Sequence, residues 1–493
     1  MRTNLSNINQ QSFFCLKFKD LFFSLLSVFI VAVFPSFFML FNNIERTNFS
    51  DIVSIASIFM LIGTISLLLF YLLFKDIYKA ALLTNLSLFL FSNFALLESA
   101  IIKIIPMLHY WHILMIMISI IVLVAISVKN KLSTEFANNL SVVLLIVFSG
   151  LILFNAIKAI PEIIKKNTKE TGSSQFEIQQ GTITSHNNVY FFVFDEYGGY
   201  DNLLRYTGFD NSAFYEALED LGFNVSLHSR NYSIDTYIEL PNLLNLSFVN
   251  NGKMSHDTKK LALDSPVLFQ LFKENGYSLN VVSDYGHIPI ENTEVSVDYA
   301  YVSGKYEDTL KVLILNNSVY YPFLSNQYRN TRIVEVENMF QYLTNSWKLQ
   351  PLKLFTFSYI SFPHLPWVVD EFGNNISLSN KQNWQNSDVY LNQLKYCSKK
   401  IMGVVTNIIK NDPDAIVIIQ SDHGYRQAYY LKNWYGETYD DWGLEMQYIR
   451  NILNAVYYKG EKIDIENYSG VNTLIIVLNE HFGMNYELLE QPK

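Results

Sequence analysis

Two short stretches of this chain hold residue types that can do chemistry. VYFFVFDE, Val189 to Glu196, is an apolar run closed by two carboxylates, Asp195 and Glu196. AIVIIQSDHG, Ala415 to Gly424, closes a second apolar run with Ser421, Asp422, His423 and Gly424. Ionised carboxylate oxygens and a neutral imidazole nitrogen are suitable ligands for a divalent cation. An Asp-His pair alone is equally a polar surface turn. Two acid-bearing ends of buried strands in one domain favour the metal reading.

Four apolar runs of strand length alternate with helical patterns after residue 188. VYFFVFD, SLNVVSD (Ser278 to Asp284), LKLFTFSYI (Leu352 to Ile360) and AIVIIQ read as strands; Asn211 to Phe223 and about 387–410 have helical spacing. Strands that are apolar on both faces and separated by helices predict an α/β domain, a mixed sheet between helix layers. Ligands in such folds collect beyond the carboxyl ends of the strands. Both acidic stretches reach that edge.

The first 160 residues have another character. The chain is 50% hydrophobic and only 16% charged over 493 residues, too apolar for an ordinary soluble protein. Apolar runs at about 21–41, 52–74, 80–97, 111–128 and 140–157 each approach the ~20 residues that a bilayer-spanning helix needs. The expected layout is a membrane domain of five transmembrane helices over 1–160, a polar linker over 161–188 and a catalytic domain over 189–493. With the N-terminus in the cytoplasm, the inner segments hold Arg2, Lys17, Lys19, Lys75, Lys79, Lys129 and Lys131, and the outer loops hold Arg46 and Lys103. This bias keeps the N-terminus inside and places the domain after residue 160 outside the cytoplasm, on a multi-pass protein of the cell (inner, cytoplasmic) membrane. The spans almost lack ionisable residues, which disfavours transport; Glu98, at the end of the third, reads as interfacial. The net charge of −9, without a basic patch, argues against nucleic acid as a partner.

A strand ending in an acid near the start of a domain and a strand ending in SDHG near its end resemble the alkaline phosphatase superfamily. The five-span anchor with an exported domain is similar to the lipoteichoic acid synthases and phosphoethanolamine transferases. Val471 to Glu490 resembles the tail of sulfatase-like membrane proteins of the same superfamily. The resemblance covers the whole chain in layout, although its motifs are short. It implies one divalent metal, zinc or manganese, held by Asp195, Asp422, His423 and the hydroxyl that is also the nucleophile. Thr236, followed by Glu239, Leu240 and Pro241, matches the transferase pattern of a threonine that opens a helix, and Ser233 is its rival. Glu196 is a further candidate ligand of the same metal, or a hydrogen-bonding neighbour of it. His364, in SFPHLPW, resembles a histidine that contacts the substrate head group or a second metal. Arg426 is a candidate for a phosphate oxygen; His228 and Arg230 are weaker candidates.

The resemblance implies a phosphotransferase that moves a phospholipid head group, of phosphoglycerol or phosphoethanolamine type, through a phospho-threonine onto a surface glycan or lipid. The donor is then a membrane phospholipid and the acceptor a glycan or lipid of the cell envelope. A phosphodiesterase or sulfatase-like hydrolase using the same site is the alternative. A catalytically silent membrane protein that only binds glycan is another. The chain lacks the Cys/Ser-x-Pro-x-Arg signature of formylglycine sulfatases, which disfavours sulfate ester hydrolysis by that route. Its one cysteine after the spans, Cys397, leaves no disulfide of the kind common in phosphoethanolamine transferases and shifts weight toward phosphoglycerol transfer.

Topology is open to test. A cysteine at Gly172 should react with a membrane-impermeant thiol reagent added to intact spheroplasts, and one at Lys131 should not. The reverse pattern would place the catalytic domain in the cytoplasm.

Overall fold

The computed structural model describes residues 2–44, 49–105, 107–167, 183–248, 263–284, 295–304, 314–315, 317–349, 351, 353–376 and 386–490. The chain forms two compact units, Met1–Lys169 with Tyr306–Gln327, and Glu170–Lys305 with Tyr328–Lys493. The linker expected over 161–188 begins inside a helix, and its residues 168–182 lie outside the described residues.

The first unit holds α1 (Arg2–Asn42), α2 (Phe49–Phe74), α3 (Ile77–Ser92), α4 (Phe94–Ile104), α5 (Tyr110–Lys131) and α6 (Thr134–Asn167). Four of these are long and apolar enough to cross a membrane, and α3 with α4, bent by 64°, makes a fifth if the pair is one span. The faces that carry Leu61, Ile65, Leu68, Leu123, Ile146 and Leu153 are exposed, as expected of helices whose solvent is lipid. Inside the bundle, Asn85 donates to Ser27 Oγ at 2.7 Å and Ser24 donates to Asn138 at 2.9 Å.

The bend at Asn93 has a local cause and a distant partner. The Asn93 side chain donates to the Phe89 carbonyl at 2.9 Å, competing with the helix's own ladder. The backbone groups freed there pair with residues far along the chain, Ala95 N–H with Asn317 O and Val319 N–H with Phe91 O, both at 3.1 Å. Glu98, which reads as interfacial in the sequence, is 4% exposed and accepts a hydrogen bond from the Tyr321 hydroxyl.

The second unit is built on one seven-stranded sheet in the order β2-β7-β6-β1-β5-β3-β4. Its strands are β1 (Val189–Phe194), β2 (Phe223–Ser226), β3 (Ser278–Asp284), β4 (Tyr299–Ser303), β5 (Leu354–Ile360), β6 (Ile416–Ser421) and β7 (Asn454–Tyr458). Strands β6, β1, β5, β3 and β4 run parallel, and β7 is antiparallel to both β6 and β2, so the sheet is mixed. Side chains of β1 alternate between two cores. Tyr190, Phe192 and Phe194 enter one, with α11 (Tyr321–Thr344) and α12 (Asp388–Asn411). Val189, Phe191 and Val193 enter the other, with α9 (Thr236–Asn245), α10 (Val267–Glu274) and α15 (Gly470–Phe482). A central strand covered on both faces has no solvent side, which is why its sequence reads as a continuous apolar run.

Register decides what meets at the edge. Phe194 is level with Ser421 on β6 and with Ile360 on β5, so the residues that follow each strand emerge side by side. Phe191, fully buried and edge-on to Phe357 at 5.4 Å, ties β1 to β5. Phe191→Ala should destabilise the second unit by about 3–5 kcal/mol through lost contacts and a residual cavity, read as a lower thermal midpoint of the detergent-solubilised chain.

Candidate metal centre and active site

Asp195 leaves β1, and Asp422 with His423 leave β6. The backbone fixes both turns: Asp195 N–H donates to Ile360 O at 2.9 Å, and Gly424 N–H donates to Ile449 O at 2.7 Å. A Cβ on Gly424 would stand 2.6 Å from Asn451 O and 2.8 Å from the Asn202 amide, so the SDHG turn needs glycine for close approach. Asn231, fully buried, donates to the carbonyls of Ser421 at 3.1 Å and Asp422 at 2.8 Å. It ties this turn to the segment that leads into Thr236.

One ligand atom each from Asp195, Asp422 and His423 lie within 4.8 Å of one another, and all three residues are buried. His423 Nε2 is 3.5 Å from both Asp195 Oδ1 and Asp422 Oδ2. Its Nδ1 faces the Gly424 carbonyl at 3.0 Å, which places the ring hydrogen there and leaves the Nε2 lone pair pointing at the acids. Asp195 Oδ1 and His423 Nε2 are buried without a hydrogen-bond partner among the described residues. Such atoms fit a cation: Asp195 Oδ1 and the neutral imidazole nitrogen of His423 have no other partner among the described residues, and Asp422 Oδ2 lies 3.5 Å from that nitrogen.

Thr236 is the first residue of α9, after Asp235, whose side chain accepts from Tyr237 N–H. Its Oγ1 donates to Asp422 Oδ2 at 2.7 Å. Ser233 faces elsewhere: its Oγ accepts from Asp235 N–H at 3.0 Å and its own N–H donates to buried Glu239 at 2.8 Å. The structure therefore brings Thr236 to the acids. Asp422 Oδ1 accepts from the N–H groups of Glu196 at 3.1 Å and His423 at 2.8 Å.

Glu196, in the left-handed region at φ 61°, stands outside the group of Asp195, Asp422 and His423 and turns its carboxylate toward Arg426. Oε1 accepts from Arg426 N–H at 2.9 Å, and Arg426 Nε is 3.4 Å away. Arg426 reaches His364 Nε2 at 2.7 Å and the Ile234 carbonyl at 3.3 Å. An arginine is always a donor, so His364 Nε2 accepts from Arg426, while His364 Nδ1 faces the Leu365 carbonyl at 2.7 Å. His364 and Arg426 thus stand together beside Glu196. His228 and Arg230 pair instead with Asp201, at 2.9 and 3.2 Å.

Burial, and then the charge of Asp195, push the Asp422 carboxyl well above the usual range. Burial also raises Asp195, but its neighbours His364, His423 and Arg426, with the Tyr359 hydroxyl, outweigh it and hold that carboxyl low. Glu196 is raised by burial against the pull of Arg426. Burial, then the Arg426 charge, lower His423 to about 3, so its imidazole is neutral at physiological pH. The sequence reading misses Tyr359, fully buried on β5, whose hydroxyl stands close enough to Asp195 and Thr236 to feel both. Its only signal is a polar-tipped ring one residue before the end of an apolar strand. Asn231 gives no sequence signal at all.

This fold and these residues define a membrane protein with a sulfatase-type domain. The sulfatase family model matches residues 176–468, and the chain belongs to that family. No curated protein matches it in sequence. Among solved structures it is similar to the integral membrane lipooligosaccharide phosphoethanolamine transferase A (EptA) of Neisseria meningitidis, at 11% identity and TM-score 0.42, over 93% of this chain and 95% of that one. The C-terminal periplasmic domain of EptC from Escherichia coli, in a complex with Zn, aligns at 15% identity and TM-score 0.41, over 64% of this chain and 86% of that one. The lipoteichoic acid synthase LtaP of Listeria monocytogenes aligns at 13% identity and TM-score 0.38, over 60% and 72%.

The opposed shifts of Asp422 and His423 predict how metal uptake depends on pH. His423 carries no proton to lose near neutrality, whereas the raised Asp422 carboxyl lets protons compete with a metal, so affinity should strengthen as pH rises. Zinc titration calorimetry in buffers of different ionisation enthalpy should detect proton release that grows as the pH is lowered. Asp422→Asn should lose it together with most of the affinity.

Proposed function

We propose that this protein is a metal-dependent phosphotransferase, anchored in the cell membrane with its catalytic domain outside the cytoplasm. It would move the phosphorylated head group of a membrane phospholipid onto a surface glycan or lipid. The observation that carries this reading is the Thr236 hydroxyl, at a helix N-terminus and 2.7 Å from Asp422 Oδ2, beside the Asp195 and His423 atoms that face a shared point.

Asp195, Asp422, His423 and Thr236 would hold the metal, zinc or manganese, which lowers the pKa of a bound hydroxyl and stabilises charge on a phosphoryl group. Thr236 Oγ attacks phosphorus, its proton passes to the Asp422 carboxylate to which it already donates, and the bond from phosphorus to the glycerol oxygen breaks. Diacylglycerol leaves with a proton from solvent. The N-terminus of α9 presents backbone N–H groups and a positive dipole end to the phosphate. Arg426 is preset by Glu196 to donate to a non-bridging oxygen, and His364 stands beside it to orient the same group. A hydroxyl of the acceptor then attacks the phosphorus of the phospho-threonine and gives its proton to solvent; the bond from phosphorus to Thr236 Oγ breaks, and that oxygen recovers its proton from Asp422. A hydrolase would use the same residues with water as acceptor. Phosphoglycerol is favoured over phosphoethanolamine as the head group by the single cysteine after the spans, Cys397, which is buried and free.

Thr236→Ala should lower turnover by at least about 10³-fold, because only binding and electrostatic stabilisation remain. Thr236→Ser should keep a measurable fraction, since the nucleophilic oxygen survives. Acid-quenched wild-type protein given phosphatidylglycerol without acceptor should carry a glycerophosphate adduct on the peptide holding Thr236. Full activity in both Thr236→Ala and Ser233→Ala would leave water as the attacker and favour the hydrolase.

A further inference from the structure

His364 lies on the segment Ser361–Trp367, which is neither helix nor strand, yet it is held from three sides by elements outside the metal centre. At its start, Ser361 N–H and Oγ donate to Asp284 Oδ2 at 3.0 and 2.5 Å. Arg332 donates from one guanidinium nitrogen to Asp284 Oδ2 at 2.8 Å, to Ser361 O at 2.7 Å and to Ser361 Oγ at 2.8 Å. The Asp284 and Arg332 side chains are 0% and 1% exposed. Asp284 ends β3 and Arg332 belongs to α11. On the other side Gln393 of α12, also fully buried, donates to the carbonyls of Pro363 at 3.0 Å, His364 at 3.1 Å and Pro366 at 3.4 Å, and accepts from Val368 N–H at 2.8 Å. His364 N–H itself donates to Asp195 O at 3.1 Å.

A buried ion pair is weak support for stability, because well-packed apolar residues of similar volume often serve a core as well or better. Here the pair and the amide make bonds that an apolar residue cannot, all to the segment that carries His364. The chemistry of each is specific. Only a primary amide offers donors to a group of carbonyls and an acceptor to an N–H at once. A planar guanidinium holds its donors in a fixed fork that lysine lacks.

We propose that the Asp284–Arg332 ion pair and Gln393 are positioning residues, which fix His364 against Arg426 so that both meet the same phosphate. The proposal rests on the phosphotransferase reading above, and displacement of a substrate-orienting group by about 1 Å can cost on the order of 10²-fold in rate.

The test uses the full zinc-loaded chain in detergent and the variants Gln393→Glu, Arg332→Met and Arg332→Lys. Three quantities are read: kcat and KM on bis(4-nitrophenyl) phosphate, bound zinc, and the rate at which diethyl pyrocarbonate modifies His364, followed by peptide mass spectrometry. Gln393→Glu and Arg332→Met should lose about 10²-fold in kcat/KM at unchanged zinc content. Their His364 should be modified several-fold faster, because Nε2 no longer accepts from Arg426. Arg332→Lys should recover part of both. Wild-type kcat/KM and His364 reactivity in Gln393→Glu and Arg332→Met, with only a lower thermal midpoint, would overturn the proposal and leave a packing role. Should the wild-type chain not turn over the diester, the phosphotransferase reading fails by itself, and His364 reactivity still decides the positioning role. If Gln393→Glu does not fold, the near-isosteric Asp284→Asn is judged on the same readouts.

Discussion

Asp195 and Asp422 bring carboxylate oxygens within 4.8 Å of each other at positions 5% and 0% exposed. Two full negative charges at that spacing repel by roughly 3–4 kcal/mol even at an effective dielectric of about 20. The parallel register of β1 and β6 enforces the approach, since Phe194 and Ser421 are level and each acid is the next residue. The fold therefore creates the repulsion, and the site must relieve it. A proton shared by the pair relieves part of it, which is the sense of the raised Asp422 and lowered Asp195. A divalent cation relieves more, and the neutral Nε2 of His423, aimed at both acids, adds a ligand and no charge.

The positive groups nearby are arranged so that they do not occupy that point themselves. Arg426 is a permanent cation beside the acids, yet Glu196, His364 and Ile234 O hold its guanidinium. Glu196 takes a left-handed backbone conformation that costs a non-glycine residue of order 1 kcal/mol. That conformation sends its carboxylate toward Arg426 while its N–H supports Asp422. Adjacent acids thus serve opposite ends of the site: Asp195 faces His423 and Asp422, and Glu196 faces Arg426.

Much of this is legible in the sequence where one residue's environment is set by one element. Buried parallel strands show as apolar runs, so β1, β3, β5 and β6 are readable, and their last residues point to Asp195, Asp422 and His423. The edge strands β2 and β4, and β7 beside β2, are not: β2 is only Phe223–Ser226, and β4 and β7 are five residues each, too short for a pattern. The bend between α3 and α4 is hidden for another reason, because its partners, Asn317 and Val319, lie more than two hundred residues away. Thr236 is reachable through family resemblance, which also names Glu196 as a metal ligand or a neighbour of one; the structure turns its carboxylate to Arg426. Tyr359, Asn231 and Gln393 are illegible because what they do depends on tertiary contacts. A tyrosine in an apolar strand or a glutamine in an amphipathic helix is as often plain packing.

Membership in the sulfatase family does not by itself decide the reaction, since chemistry resides in the site and not in the fold. A formylglycine hydrate has two hydroxyls on one carbon, so an ester on one can be expelled when the other collapses to an aldehyde. A threonine ester has no such exit. With Thr236 as the proposed nucleophile, the phosphorylated enzyme can be released only by a second attack on phosphorus. Water and a sugar or lipid hydroxyl then compete for one intermediate, and their relative access to Thr236 determines whether the protein hydrolyses or transfers. A membrane anchor supplies a physical bias in that competition. Lipid-linked donors and acceptors of the proposed reaction would be concentrated in two dimensions with such an anchor, their effective concentration raised without any new contact. Water is already at its maximum and gains nothing from the tether, so anchoring favours transfer over hydrolysis.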